Sequence, residues 1–266
     1  MRTLALAWRQ LRRDLAAGDI RILFAALVLA VVAVTSVGFV TDRAERALAI
    51  EANRLLGGDV VVRGDAPPTE ALRALAAAPG LRVTETQELQ SMIRAGESLS
   101  LGDLRALGEG FPLRGSFRIV DRAGAAERDA RGIPAPGTLW ISQAGAETLG
   151  AKPGDTIGIG TRELKLVALV TQEPDAALDY FNVAPKVFLN LADLPSTGLV
   201  QEGSRLRYRL VVAGDAAAVE TFAAAVKPQL ARGQRMETIQ DARPEVRSAL
   251  DRASRFLGLA ALVSVV

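Results

Sequence analysis

The chain has 266 residues, of which 49% are apolar and 23% charged; its formal net charge is +2, and it contains neither cysteine nor histidine. The missing cysteines exclude disulfides and thiolate zinc sites, and the missing histidines remove the commonest general base and metal ligand, so a catalyst would need Ser-Lys or carboxylate chemistry. Residues 41–255 hold 27 basic and 28 acidic side chains, which argues against nucleic-acid binding, whereas residues 1–21 hold five Arg against Asp14 and Asp19.

In residues 2–15, Leu4, Trp8, Leu11 and Leu15 recur at helical spacing with Arg9, Arg12 and Arg13 on the other sides. That pattern predicts either an amphipathic helix along a membrane surface or a plain topogenic basic tail; both keep residues 1–21 in the cytoplasm. Residues 22–40 then run nineteen positions without a charge, and twelve are Ile, Leu, Val or Phe. As a helix this stretch is roughly 28 Å long, the thickness of a bilayer's hydrocarbon layer. It predicts a transmembrane helix, in which Thr35, Ser36 and Gly38 suit close helix packing. No helix breaker follows until Gly57, so residues 41–56 read as a helical stalk continuing outward and ending at a glycine cap.

A folded domain is expected from Asp59. Val60–Arg63 reads as a strand, Thr69–Ala78 as a helix after Pro67 and Pro68, Leu81–Ala95 as one long strand or two, and Glu97–Leu107 as a short strand. These form the first half of an α+β domain, residues 57–109. From Gly108 to Pro136 the pattern weakens to a surface excursion or mobile loop, with only Phe117–Val120 strand-like. Thr138–Ile141 is a strand, Ser142 caps a helix ending near Leu149 before Gly150, Lys152–Asp155 is a turn, and Thr156–Ile159 with Glu163–Val170 makes a hairpin. Gly158 and Gly160 mimic the start of a dinucleotide fingerprint, but they lie between strands and Glu163 stands where a third glycine would, which leaves turn chemistry. Residues 173–205 look mostly irregular around a strand at Pro185–Asn190, so 110–203 is an inserted mostly-β subdomain.

The second half of the domain, 204–240, begins with a strand at Arg205–Ala213 that alternates Leu206, Tyr208, Leu210 and Val212 against Arg207, Arg209 and Val211. Asp215 caps an alanine-rich helix to about Arg232, and Arg235–Ile239 is the last strand. Residues 241–255 predict a second stalk helix with Val246, Leu250, Ala253 and Leu257 on one stripe. Residues 256–266 are charge-free but amount to only roughly 16 Å of helix, which reads as the truncated start of a second span.

No phosphate-binding G-x-x-x-x-G-K-[ST], no G-x-S-x-G and no H-E-x-x-H occurs. The carboxylate pairs Asp175 with Asp179 and Glu85 with Glu88 read as solvated surface. No catalytic, cofactor-binding, metal or substrate-binding residue is nominated, and no cofactor.

The order of basic tail, span, stalk, split α+β domain, stalk and span resembles the MacB/FtsX-type ABC transporter permeases. The string TLWISQAGAETLGAKPGDTIGIGTRELKLVALV at 138–170 resembles the strand, helix, turn and hairpin of their periplasmic domain. DLPSTGLVQEGSRLRYRLVV at 193–212 and RPEVRSALDRASRFLGLAALVSVV at 243–266 resemble the YbbP-like subgroup. The resemblance implies transmembrane helices with an α+β periplasmic domain of two β-α-β units, a non-catalytic multi-pass subunit of the bacterial inner membrane, and residues 41–255 in the periplasm. It also implies a separate cytoplasmic ABC ATPase and a second permease unit as partners besides the lipid bilayer, and export of a lipid, lipoprotein or peptide-like substrate or mechanotransmission to periplasmic proteins. The competing reading is a membrane-anchored sensor or binding domain without transport.

Overall fold

The computed structural model describes residues 57–122, 124–174, 184–201 and 203–238, together with 22, 24–29, 31, 32, 35, 36, 38, 39, 43 and 252. The chain divides into two compact units, Met1–Ala49 with Pro244–Val266, and Ile50–Arg243. In the first unit the described positions from 22 to 43 are helical, and their large apolar side chains, Phe24, Leu29 and Phe39 among them, are exposed. Among the described residues no helix is long and apolar enough to cross a membrane. The expected basic tail, most of both stalks and the start of the second span lie outside the described residues.

In the second unit two strand-helix-strand pieces interleave. The first is β1 (Val60–Gly64), α1 (Glu70–Ala76) and β2 (Leu81–Ala95). The second is β10 (Arg207–Gly214), α3 (Ala216–Val226) and β11 (Arg235–Thr238). β10 pairs antiparallel with both β1 and β2, and β11 with the outer edge of β1, giving the order β11-β1-β10-β2. This is the split β-α-β arrangement of ferredoxin-like sheets. The chain therefore enters and leaves the domain at one place, because Val60 is the cross-strand partner of Thr238.

The strands expected as an insertion continue the same sheet. β2 turns at Gly96, a residue with positive φ, into β3 (Ser98–Leu107), which pairs in parallel with β9 (Lys186–Asn190). Beyond β9 come β6 (Thr138–Ser142), β8 (Arg162–Gln172), β4 (Arg118–Val120) and β5 (Arg128–Asp129), and β7 (Thr156–Ile159) pairs with both β2 and β8. α2 (Gln143–Leu149) follows β6, with Ser142 accepting from the Gly145 amide and Gly150 in the left-handed conformation, as the sequence pattern requires.

Several expectations need correction. α3 stops at Val226, short of Arg232, because Pro228 lacks the amide a helix needs and its ring crowds the preceding turn. Residues 191–197 form a 3-10 turn capped by Asn190, where irregular chain was expected. The segment after Gly108 is no surface excursion: Phe111, Leu113, Phe117 and Ile119 are buried, and the Phe117 ring lies 5.5 Å from Trp140 and 5.2 Å from Phe188. Nor does β10 alternate between inside and outside, since Arg209 is 2% exposed and Leu210, Val211, Val212 and Ala213 are all buried.

That last correction follows from how the sheet is covered. Val60, Val62, Leu210 and Val212 face α1 and α3 with Leu72, Ala76, Phe222 and Val226. Val61, Val211 and Ala213, pointing the other way, join Phe111, Phe117 and Phe188. A third cluster, including Ile93, Leu104, Leu139, Val187 and Leu149, fills the space between the β2–β3 hairpin, β6, β9 and α2. Strands covered on both faces lose the period-two signal.

Candidate functional site

The uncovered part of the sheet holds the site. On the face opposite α1 and α3, cross-strand partners run Arg207, Glu88, Arg105 and Phe188 across β10, β2, β3 and β9. Phe188 lies under the Phe111–Phe117 cover, but the cover ends there, and a cleft of about 1030 Å³ opens over the charged partners.

Its floor is a shared ion pair. Arg209 donates through Nη1 to Glu88 Oε1 at 2.9 Å, and Arg105 Nε stands 3.4 Å from the same oxygen. The Arg105 guanidinium also lies 5.2 Å from the centre of the Phe111 ring, a cation-π contact joining the charged floor to the aromatic cover. Burying guanidinium groups is costly, and a carboxylate held between two of them offsets that cost only while it stays in place. Around the floor Lys186 donates to Glu173 at 3.0 Å, Gln90 to Asp103 at 2.8 Å, and Arg63 pairs with Glu237 at 3.0 Å. Arg205 and Arg207 line the cleft from its exposed rim and make no ion pair among the described residues.

A second cluster pins the cover. Asp59, just before β1, accepts from Arg114 Nη2 at 2.9 Å and from the Gly214 amide at 3.0 Å. The Leu113 and Arg114 amides donate to Gly57 O, and Arg82 donates to Leu113 O. The hydrogen bond to Asp59 raises the Arg114 pKa above its ordinary value, with burial opposing.

The carboxylate pair Glu85 and Glu88 is split by the pleat. Glu85 takes Arg73 of α1, with Nε 2.6 Å away, while Glu88 serves the cleft floor on the other face, so neither is plain solvated surface. Asp175 and Asp179 lie outside the described residues. Gly160, at positive φ, sits in the two-residue β7–β8 turn, where a Cβ would meet Thr197 O at 2.1 Å, so it is turn chemistry as expected; Gly158 is not, since it lies within β7 between Arg94 of β2 and Glu163 of β8. Among the described residues no group of acidic side chains could hold a metal ion. Sequence reasoning passed over Arg105 and Arg209; the available signal was an arginine inside an otherwise apolar strand, Arg209 beside Leu210, Val211 and Val212.

No family model matches the chain. Over 260 residues, 97% of its length, the chain is 28% identical to the uncharacterized ABC transporter permease YbbP of Escherichia coli (strain K12). The chain is thus similar, over nearly all of its length, to an ABC transporter permease. It spans about a third, 31%, of that relative's length. Weaker likenesses link it to two solved structures. The periplasmic region of MacB from Actinobacillus actinomycetemcomitans is 11% identical at a TM-score of 0.46, with 73% of this chain and 95% of that one covered. The extracellular domain of the noncanonic ABC-type transporter YknZ from Gram-positive bacteria is 12% identical at 0.46, with 67% and 100% covered.

Proposed function

We propose that the chain is part of a permease subunit of an ABC transporter that couples ATP hydrolysis by a separate cytoplasmic ATPase to a conformational change in the domain of residues 57–240. That change would drive export of a lipid, lipoprotein or peptide-like substrate or act on periplasmic proteins. In this reading residues 22–40 and 256–266 belong to inner-membrane spans, 41–56 and 241–255 are stalks, the N-terminus is cytoplasmic, and a second permease unit completes the transporter. The subunit itself is not a catalyst.

The observation that carries the reading is the similarity of 97% of this chain to about a third of a permease, and the geometry of entry and exit agrees with it. Val60 and Thr238 are cross-strand partners, so both connections to the membrane would be rooted roughly 5 Å apart on the domain. Two helices pulling on one corner deliver force where Asp59, Gly57 and Gly214 are tied to Arg114. A lever also needs stiff arms, and residues 41–56 contain neither Pro nor Gly.

The test is to break one arm in the intact transporter with Ala49→Gly and Ile50→Pro. Transport should be lost while membrane insertion and association with the ATPase persist, and undiminished transport would sink the lever. The charged cleft suits the competing reading, a membrane-anchored binding domain. If no cytoplasmic ATPase co-purifies with the intact protein in the presence of ATP, that reading replaces the permease.

A further inference from the structure

We propose that the cleft on the β2–β3–β10 face binds an extended acidic peptide segment, two of whose carboxylates meet Arg205 and Arg207. The proposal rests on the cleft alone and holds whether or not the chain works in a transporter.

Charge is the first argument. Residues 41–255 carry one more acid than base, yet six cationic and four acidic side chains line this cleft, so positive charge is concentrated there. The surplus is matched by Arg205 and Arg207, which are exposed and enter no ion pair among the described residues. Most cations of the lining are already held by Glu88, Glu173 or Glu237. The floor is thus a fixed scaffold, and the two rim arginines are the groups left to receive a ligand.

Shape and spacing select the ligand class. The cleft's volume of about 1030 Å³ stands at the top of the range for ligand cavities, roughly 300–1,000 Å³, and far exceeds one phosphate. Phosphate sites also converge several donors, often backbone amides, on one point. Here Arg207 opens β10 and Arg205 stands two residues before it, next to a tight turn closed by Leu206 N–H on Ser204 O, so the two cations unpaired among the described residues are at most about 7 Å apart along the chain, within the step between alternate side chains of a peptide strand. Asp65, Asp103 and Glu173 share the lining and would repel a dense dianion, but they leave room for a chain whose charges are spaced. Leu199, half-buried, adds apolar wall for the residues between.

The test uses the full 266-residue chain in detergent at low salt, a fluorescein-labelled Ala-Glu-Ala-Glu-Ala peptide, and its Gln counterpart. Fluorescence anisotropy should show the Glu peptide binding at least tenfold more tightly than the Gln peptide. The double variant Arg205→Gln with Arg207→Gln should lose at least tenfold of that affinity, while Arg131→Gln, exposed and outside the cleft lining, leaves it unchanged. Both replaced rim arginines are exposed, so the double variant should keep the circular dichroism spectrum of the parent, which is the check on its folding. Absence of Glu-peptide binding at millimolar concentration overturns the proposal, as does equal affinity for the two peptides or indifference to the double variant. Inorganic phosphate and phosphatidylglycerol vesicles are the competitors: either one binding through Arg205 and Arg207 more tightly than the Glu peptide reassigns the cleft to phosphate chemistry and overturns it too.

Discussion

The two faces of β1, β10 and β2 are built by different means. Toward α1 and α3 the packing of Val60, Val62, Leu72, Leu210, Val212 and Phe222 is aliphatic and aromatic throughout, closed by helices whose caps and apolar stripes are local features of the sequence. Toward the other side the same strands begin apolar, with Val61, Val211 and Ala213, and within a few residues turn to Arg209, Glu88 and Arg105. Phe117 covers the apolar part, and Phe111 reaches only as far as Arg105. One face is closed throughout; on the other the cover gives out over the charges, and a cleft with fixed charges is the result. Binding surfaces arise where a rigid sheet is left open in this way.

The sharpest way to break the comparison is to remove the cover. Phe117 is 0% exposed and touches Phe111, Trp140 and Phe188 by ring contacts. Phe117→Ala should cost about 4 kcal/mol in urea unfolding. A cost near that of a surface change would mean that the aromatic cluster does not close this face. Next in size is the floor. Glu88→Ala leaves Arg209 and Arg105 buried without the carboxylate they share and should cost about 3 kcal/mol. Glu88→Gln, which keeps an acceptor but no charge, should fall between the two; equal stability of all three forms would show that the charge is not needed in the floor.

The helix-side face could be read from sequence because its determinants are close together in the chain. Thr69 caps α1, Ser142 caps α2, Gly150 ends α2, and the apolar positions repeat with the period of the element they sit in. The other face depends on residues that come together only through strand register. Phe111, Phe117, Trp140 and Phe188 are spread over 78 positions, and the parallel pairing of β3 with β9 that places Phe188 beside Arg105 leaves no local trace. A segment with no periodicity, rich in Gly, Arg and Asp, resembles a solvated loop until its four large apolar side chains are seen to share one pocket. Arg209 escapes the sequence pattern for the same reason: period-two alternation assigns an arginine to solvent, and only pairing with Glu88 on the neighbouring strand allows it inside.

Smaller effects sharpen the contrast. Arg114 fastens the cover to the point where the chain enters the domain, through Asp59 and Gly214 O. Arg114→Met keeps the stem and removes the donors, so Asp59 is left with the Gly214 amide, and a loss of about 2 kcal/mol is expected. Faster amide exchange confined to Leu113 and its neighbours would place that loss at the cover; protection unchanged there, with the same loss in stability, would place it elsewhere.

The smallest effect is the most direct comparison, because it uses the same strand. Glu85 stands three residues before Glu88 and also pairs with an arginine, but Arg73 belongs to α1 and its side chain is 40% exposed. Water already solvates that guanidinium, so losing the carboxylate uncovers no buried charge. Glu85→Ala should cost about 0.5 kcal/mol, and the cost should shrink further in 1 M salt, where exposed pairs are screened within about 3 Å. The effect of Glu88→Ala should persist in the same salt, since Arg209 and Arg105 are buried, Arg105 against the Phe111 ring. If the two glutamates respond alike in size and in salt dependence, the faces do not differ in the way the buried arginines imply, and the cleft floor is as wet as the edge of α1.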